Sequence, residues 1–178
     1  MIAVGHSYGG AVISNAASTA TNVVGLVYVA AFAPDEGERL GDVASTSKDA
    51  ILGPALVPLR YPSGQSSETA MEFTVDPAKL HDAFAADLSA DQAAILAVTQ
   101  RPLSERAFSE PNGEPAWKRL PSWAVVATGD KAVGTDLARS MAQRAGAKIT
   151  ELTGSHVIMV SQPQAVTDVI LSALAAVS

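Results

Sequence analysis

The chain has 178 residues, enough for one ordinary domain, and 48% of them are apolar while only 17% are charged. This composition predicts a packed core and excludes wholesale disorder. The formal net charge of −6 and the scattered lysines and arginines argue against a nucleic-acid partner, and the absence of cysteine excludes disulfides, thiolate metal sites and cysteine nucleophiles.

The first residues show none of the features of a targeting segment. Residues 1–4 are apolar, but they lack a basic region and are too few for a signal peptide. The longest apolar run, Val23–Ala33, is shorter than the roughly 18 residues of a membrane-spanning helix and suits a buried strand. Because the lack of cysteine also fits a reducing compartment, we expect a cytoplasmic protein without a membrane partner.

Strands and helices alternate at both ends of the chain. Residues 1–33 predict a short strand at Ile2–Val4, a small-residue helix at Tyr8–Ser18 and a second, nearly all-apolar strand at Val23–Ala31. Residues 122–178 predict two more strands, Ser122–Thr128 and Ala147–Leu152, each followed by a helix. Alternation of this kind predicts an α/β fold with a parallel sheet of about four strands and flanking helices.

Residues 34–121 differ in composition and contain most of the ten prolines. We interpret them as an inserted, mostly helical cap with a flexible stretch around Tyr61–Thr69. Asp76 and Pro77 are typical of a helix start, and Ser89 with Gln92 forms a capping box before a second helix.

The segment Gly5-His6-Ser7-Tyr8-Gly9 follows an apolar strand and precedes a helix. A serine in such a sharp turn needs small neighbours two positions to either side, because the backbone is crowded there. Its hydroxyl is then exposed at a helix N-terminus, which favours developing negative charge. We therefore predict that Ser7 is a nucleophile, the alternative being an ordinary turn at a helix start.

A serine nucleophile needs a base and an acid that orients the base. His156 follows the last strand and is the candidate base, whereas His6 lies inside the turn and is expected to have a packing role. His81 is expected on a solvated helix face. Asp130 follows the third predicted core strand and is the preferred acid, and the alternatives Asp35 and Asp136 follow a strand and open a helix, respectively.

These motifs together resemble the α/β-hydrolase family of Ser-His-Asp type, in which the three residues follow the order Ser7, Asp130, His156. The segment "GLVYVAAFAPDEGE" resembles the strand and cap entrance of small plant-type methylesterases, hydroxynitrile lyases and their bacterial esterase relatives. "TGDKAVGTDL" and "GSHVIMVSQP" are similar to the acid and histidine loops of those relatives. The resemblance implies nucleophile, acid and base roles for the three residues, and an oxyanion hole formed in part by the backbone N–H of Tyr8.

The resemblance covers only the C-terminal part of that fold, because the family has several strands and helices before the nucleophile strand. It therefore implies an N-terminally truncated chain whose second oxyanion donor is missing. The strand Ile2–Val4 is then expected at an exposed edge of the sheet, where it could pair with a second copy of the chain to form a homodimer.

The predicted function is a carboxylesterase-like hydrolase that cleaves a small ester, with no metal and no cofactor. Phe32, Phe84 and Leu88 are the predicted substrate-binding residues, and Leu56, Leu59, Phe73 and Leu96 are further candidates for the pocket lining. The alternatives are a lyase or perhydrolase using the same site, or an inactive fragment that serves as an interaction module. A lyase of this type uses a cap lysine, for which Lys79 and Lys118 are the candidates.

Overall fold

The computed structural model of the chain describes residues 1–64 and 68–177. Within them lie seven strands: β1 (Ile2–His6), β2 (Gly25–Val29), β3 (Leu56–Pro62), β4 (Thr69–Val75), β5 (Leu103–Ser104), β6 (Ser122–Ala127) and β7 (Lys148–Leu152). The same residues form eight α-helices: α1 (Gly9–Ala16), α2 (Leu40–Ala44), α3 (Pro77–Phe84), α4 (Ala90–Thr99), α5 (Arg106–Ser109), α6 (Thr135–Arg144), α7 (Ile158–Ser161) and α8 (Pro163–Ala176). None of these helices is long and apolar enough to cross a membrane.

Four parallel strands form the main sheet in the order β1-β2-β6-β7. Every residue of β2 and β6 is buried, as expected for central strands covered on both faces. The four-stranded parallel sheet predicted from the sequence is therefore confirmed. Because all four strands run in the same direction, the loops that follow them meet at one edge, where α/β sheets place their sites.

Helices cover both faces of this sheet, and alternate residues of the central strands point to opposite faces. Leu26 and Tyr28 of β2 belong to a core cluster that also contains side chains of α1 and α6. Val27 and Val29 belong to a second cluster, with side chains of α8. The sheet and the helices thus form three layers, which fixes the strand ends that carry the site.

The segment between β2 and β6 contains the two predicted helices, α3 and α4, together with the short helices α2 and α5 and an antiparallel sheet in the order β3-β4-β5. Asp76 caps α3, and Ser89 with Gln92 forms the predicted capping box of α4. The sequence did not predict the sheet, because Pro58 and Pro62 lie within β3. Proline is tolerated there since β3 is an edge strand, which has one side free of ladder hydrogen bonds.

The stretch expected to be flexible around Tyr61–Thr69 instead begins and ends in strands. Tyr61 is part of β3, and Thr69 is the first residue of β4. Residues 65–67 of that stretch lie outside the described residues.

Strand β1 lies at one edge of the main sheet, and Val4 on this strand is 43% exposed. Pairing of two β1 strands in a homodimer stays a prediction, and analytical ultracentrifugation over a range of concentrations tests it. We expect Val4→Lys to shift assembly toward monomer, because a charge on an edge strand opposes pairing. Val12→Lys is the matched control on α1. A wild-type chain that stays monomeric at every concentration would contradict the prediction.

Candidate active site

Ser7 occupies a strained turn between β1 and α1. Its φ of +54° lies in the left-handed region, which costs a non-glycine residue about 1–2 kcal/mol. Backbone hydrogen bonds hold the turn: the Ser7 N–H donates to the Val29 carbonyl (3.3 Å), and the Ser7 carbonyl accepts from Gly10 (3.0 Å) and Phe32 (3.2 Å). The turn is therefore held from β2 as well as from its own helix, and it places Ser7 in the wall of a large pocket.

The glycines around Ser7 do not contribute equally. A Cβ at Gly5 would lie 2.8 Å from the Gly10 nitrogen, so the expected need for a small residue two positions before Ser7 is confirmed. A Cβ at Gly9 would meet no heavy atom within 4 Å, so the described residues give no steric reason for the second glycine of the motif. Gly10 is the crowded position instead, because a Cβ there would overlap the Phe32 carbonyl and lie 2.9 Å from the Ala31 Cβ.

This difference predicts opposite outcomes for two neighbouring substitutions. Gly10→Ala is expected to destabilise the fold by about 2–3 kcal/mol, because the clash is with backbone that cannot rotate away. Gly9→Ala is expected to be neutral or to stabilise by up to about 1 kcal/mol, since alanine is the better helix former. Urea denaturation of both variants tests the pair. Equal losses of stability would show that the crowding at Gly10 is not what fixes the turn.

The structure brings Asp130 and His156 together after β6 and β7. The His156 Nδ1 lies 3.0 Å from Asp130 Oδ2 and 3.1 Å from Oδ1, and both side chains are fully buried. Asp130 Oδ1 also accepts hydrogen bonds from the backbone N–H groups of Ala132 (2.8 Å) and Val133 (3.1 Å). Burial alone would raise the pKa of Asp130, but the attraction of His156 and these hydrogen bonds outweigh it and lower the pKa. The carboxylate is therefore ionised and oriented.

The second imidazole nitrogen of His156, Nε2, is buried and has no hydrogen-bond partner among the described residues. A buried unpaired nitrogen is costly and is a feature of sites that handle protons or ligands. No hydrogen bond joins Nε2 to the Ser7 hydroxyl within the part of the chain that the structure describes. Catalytic hydrogen bonds are often long in unliganded enzymes and tighten with substrate bound.

Two rings pack against His156. The ring centroids of His6 and Phe84 each lie 4.6 Å from that of His156. The His6 Nε2 also lies 2.9 Å from the His156 backbone carbonyl, to which it donates in the matching tautomer. Burial, reinforced by repulsion from a charged His156, lowers the pKa of His6 to about 4. His6 therefore supports the histidine loop as a neutral ring, consistent with its expected packing role.

The lowered pKa of His6 predicts a pH-dependent stability. Between pH 6.5 and 4 the unfolded chain protonates His6 and the folded chain does not, so acidification over this window favours unfolding. The decrease in the free energy of unfolding that His6 causes reaches about 3 kcal/mol at pH 4 and vanishes above pH 6.5. Urea denaturation from pH 4.5 to 7 should therefore show a weaker pH dependence for His6→Gln than for wild type. A slope in His6→Gln equal to that of wild type would contradict the prediction.

The two rival carboxylates have other partners. Asp35 pairs with Lys118 at 2.6 Å. Asp136 accepts hydrogen bonds from the Ser47 hydroxyl (2.5 Å) and from the Lys48 backbone N–H (2.8 Å), so it anchors the residues that follow α2. Structural roles thus account for both carboxylates without a role in catalysis.

A cavity of about 990 Å³ lies between the main sheet and residues 34–121, and Ser7, His6 and Tyr8 form part of its wall. Five of the seven apolar residues predicted to line a pocket do so: Phe32, Leu56, Phe73, Phe84 and Leu96. The structure does not place Leu88 in this wall: Leu88 lies in the loop that follows α3 and belongs to an apolar cluster with Val157. Leu59 is also outside the wall, exposed on β3.

Residues 2–169 match the family described as "Alpha/beta hydrolase family". The chain belongs to the α/β-hydrolase family. The family resemblance predicted from the sequence is thereby confirmed, and membership identifies the protein as a hydrolase-type enzyme. No curated protein matches the sequence.

Solved structures of other α/β-hydrolases share the fold. A polyneuridine aldehyde esterase superposes with a TM-score of 0.76 at 17% identity, over 97% of this chain and 71% of its own. A methylesterase from Arabidopsis gives 0.74 at 17% identity, over 98% of this chain and 69% of its own. A pyrethroid hydrolase from Sphingobium faniae JZ-2 gives 0.71 at 22% identity, over 96% of this chain and 69% of its own. This hydrolase chain thus corresponds to about 70% of each of those chains.

Several pocket residues of this hydrolase were not predicted from the sequence. They are apolar and come from four separate segments: Leu52, Leu80, Leu103, Phe108 and Val133. No local pattern distinguishes them from core residues, since only the packing of the cap on the sheet brings them to one cavity. Neither of the cap lysines considered for a lyase lines the pocket, because Lys79 donates to the Pro54 carbonyl (2.9 Å) and Lys118 pairs with Asp35.

Proposed function

We propose that this α/β-hydrolase is a serine esterase in which Ser7 is the nucleophile, His156 the general base and Asp130 the orienting acid. The observation that carries the proposal is the buried Asp130–His156 pair with an unpartnered Nε2, next to a strained serine turn. A structural histidine would be expected to use both ring nitrogens when fully buried.

The proposed reaction has two stages. The Ser7 Oγ attacks the ester carbonyl carbon as Nε2 of His156 takes the hydroxyl proton, which leaves a tetrahedral oxyanion. Collapse breaks the bond to the alcohol oxygen, which receives the proton from Nε2, and the acyl group stays on Ser7. Water then attacks this acyl-enzyme, again through Nε2, and releases the acid. Asp130 stays ionised throughout and stabilises the imidazolium.

The oxyanion is proposed to form at the start of α1. Tyr8 is the N-cap of this helix, which has eight residues, and it follows Ser7 directly. A backbone N–H at this position, together with the positive end of the helix dipole, would stabilise negative charge on the former carbonyl oxygen. The Tyr8 N–H is therefore the proposed donor.

Hydrolysis is preferred over a lyase reaction because the pocket wall contains no lysine among the described residues. A lysine-assisted cyanohydrin cleavage would need an ammonium group near the departing cyanide, and both candidate lysines have other partners. The proposed ester hydrolysis uses the serine, the histidine, the carboxylate and the Tyr8 N–H, and it needs no lysine.

Incubation of the purified chain with a fluorophosphonate, followed by intact-mass spectrometry, tests the proposal. A single adduct is expected, and it should be absent from Ser7→Ala and present in Ser45→Ala, which removes another pocket hydroxyl. Release of p-nitrophenol from p-nitrophenyl butyrate and cyanide from mandelonitrile are measured in parallel. Cyanide release without ester cleavage would favour the lyase, and soluble, folded protein that gives neither adduct nor turnover would favour the inactive interaction module.

A further inference from the structure

The charged side chains around the pocket are confined to its rim. Among the described residues, four charged ones contribute to the wall, namely Arg39, Asp42, Arg101 and Glu105, and all four are exposed. The rest of the wall is mostly apolar, with aromatic and aliphatic side chains that include Phe32, Phe73, Phe84, Leu56 and Leu80. An ionised group that enters this interior would lose its hydration without gaining an opposite charge, which is strongly unfavourable.

The cavity is also large relative to a short ester. Its volume of about 990 Å³ lies at the upper end of the roughly 300–1,000 Å³ typical of pockets for drug-sized ligands. A short-chain ester would contact only the wall near Ser7 and leave most of the apolar surface unfilled. Each additional methylene that packs against this surface is expected to strengthen transition-state binding about fourfold.

We propose that the site selects uncharged esters with a bulky apolar group, either a long alkyl chain or an aromatic ring, and discriminates against esters with an ionised group beyond the reacting carbonyl. This inference rests on the proposed esterase function. It replaces the small ester expected from the sequence with a larger, uncharged ester. Both properties follow from the size and the lining of the cavity.

Three p-nitrophenyl esters of matched leaving group test the inference: the acetate, the octanoate and an eight-carbon ester with a terminal carboxylate. We expect kcat/KM for the octanoate to exceed that for the acetate about 50-fold or more, allowing for incomplete burial of the chain. The carboxylate-tipped ester should react at least about 10-fold more slowly than the octanoate. Equal rates for acetate and octanoate, or a preference for the carboxylate, would overturn the inference while leaving the esterase function intact.

Two matched substitutions on β3 test whether the preference for the longer ester arises in the cavity. Leu56 lines the pocket, whereas Leu59 on the same strand is exposed and does not. Leu56→Trp is expected to lower the octanoate-to-acetate ratio of kcat/KM at least about fivefold, because the larger ring fills the space that the chain would occupy. Leu59→Trp should leave this ratio unchanged. If the wild-type chain hydrolyses none of the three esters, the result would instead contradict the proposed function itself.

A second, independent observation concerns Asp87, in the loop between α3 and α4 of the cap. The Ser155 hydroxyl, directly before His156, donates a hydrogen bond to Asp87 Oδ1. A Cβ at Gly154 would lie 2.6 Å from Asp87 Oδ2, so the glycine allows the carboxylate to approach the loop backbone. Burial would raise the pKa of Asp87, but hydrogen bonds to the carboxylate, first of all the one from Ser155, outweigh it and lower the pKa.

The cap therefore makes one apolar and one polar contact with the histidine loop. Leu80 and Leu88 of the cap pack in one cluster with Val157, which follows His156. The Asp87 carboxylate binds the residue before the histidine. Since the ring of His156 must hold its position to about half an ångström for proton transfer, contacts on both sides of it affect catalysis.

We infer that Asp87 is a positioning residue for His156, through Ser155. This also rests on the proposed esterase function. Asp87→Ala is expected to lower kcat about 10-fold or more with KM changed less than about threefold, because the pocket wall is untouched and only the base moves. Asp87→Asn should restore most of kcat, since its amide oxygen can still accept from Ser155.

Asp82→Ala is the control, because it removes another contact between residues 34–121 and the core, the exposed ion pair with Lys131 at 2.5 Å. It should leave kcat unchanged. The rate of fluorophosphonate labelling provides a second readout, and in Asp87→Ala it should fall in proportion to kcat, since labelling needs His156 but no deacylation. A lower melting temperature with unchanged kcat and labelling rate would show that Asp87 has only a structural role. Equal losses of kcat in Asp82→Ala would show a general effect of loosening the contacts of residues 34–121.

Discussion

Replacing Ser7 with alanine is expected to lower kcat for ester hydrolysis by about 10⁴-fold or more, with the pocket and its affinity for substrate retained. Without the Oγ no acyl-enzyme can form, and the residual rate comes from water activated by His156. The measurement is kcat and KM with p-nitrophenyl octanoate, together with the fluorophosphonate adduct. Activity in Ser7→Ala within 10-fold of wild type would rule out Ser7 as the nucleophile.

Ser7→Gly is the matched variant, because it also lacks the hydroxyl but tolerates the φ of +54°. It should be as inactive as Ser7→Ala and yet more stable, by about 1 kcal/mol, since only glycine adopts this conformation without strain. Such a result would show that the protein keeps the strained conformation of Ser7 because it positions the hydroxyl. If the two variants have equal stability, the turn does not store strain.

The crowded turn at Ser7 and the four parallel strands could be predicted from the sequence because both leave local signals. The apolar run of β2 and the alternation of strands with helices predict central parallel strands, and Gly5 before Ser7 predicts a crowded turn. Asp130 and His156 could be placed because each follows a strand of the same parallel sheet. Strand direction alone then brings both loops to one edge.

Contacts between distant segments could not be predicted in this way. Leu88 was predicted to bind substrate, but α3 ends at Phe84, so Leu88 lies in the loop before α4, in a cluster with Val157 and outside the pocket wall. The prolines of β3 obscure its strand pattern, and only the pairing of β3 with β4 shows an edge strand. Asp87 gave no sequence signal, because its role depends on a contact with Ser155, 68 positions away.

Asp130→Asn is expected to lower kcat about 10³–10⁴-fold, although the substitution is nearly isosteric. The backbone N–H groups of Ala132 and Val133 both donate to Asp130 Oδ1, so an asparagine would place its amide oxygen at that position. Its NH₂ group would then face Nδ1 of His156, which would have to accept a hydrogen bond. The imidazole would therefore carry its proton on Nε2, the nitrogen that must be free to accept the proton of Ser7.

Nitrogen-15 NMR of the three histidines measures this tautomer directly, with His6→Gln and His81→Gln used for assignment. Wild-type His156 should be protonated on Nδ1 and the Asp130→Asn variant on Nε2, in parallel with the loss of kcat. Asp35→Asn and Asp136→Asn remove the two rival carboxylates and should stay within about threefold of the wild-type kcat, because these carboxylates have other partners. A large loss of kcat in Asp35→Asn or Asp136→Asn, with little loss in Asp130→Asn, would identify that other carboxylate as the acid. An Nδ1-protonated His156 in Asp130→Asn would show that lost charge, and not the tautomer, limits the variant.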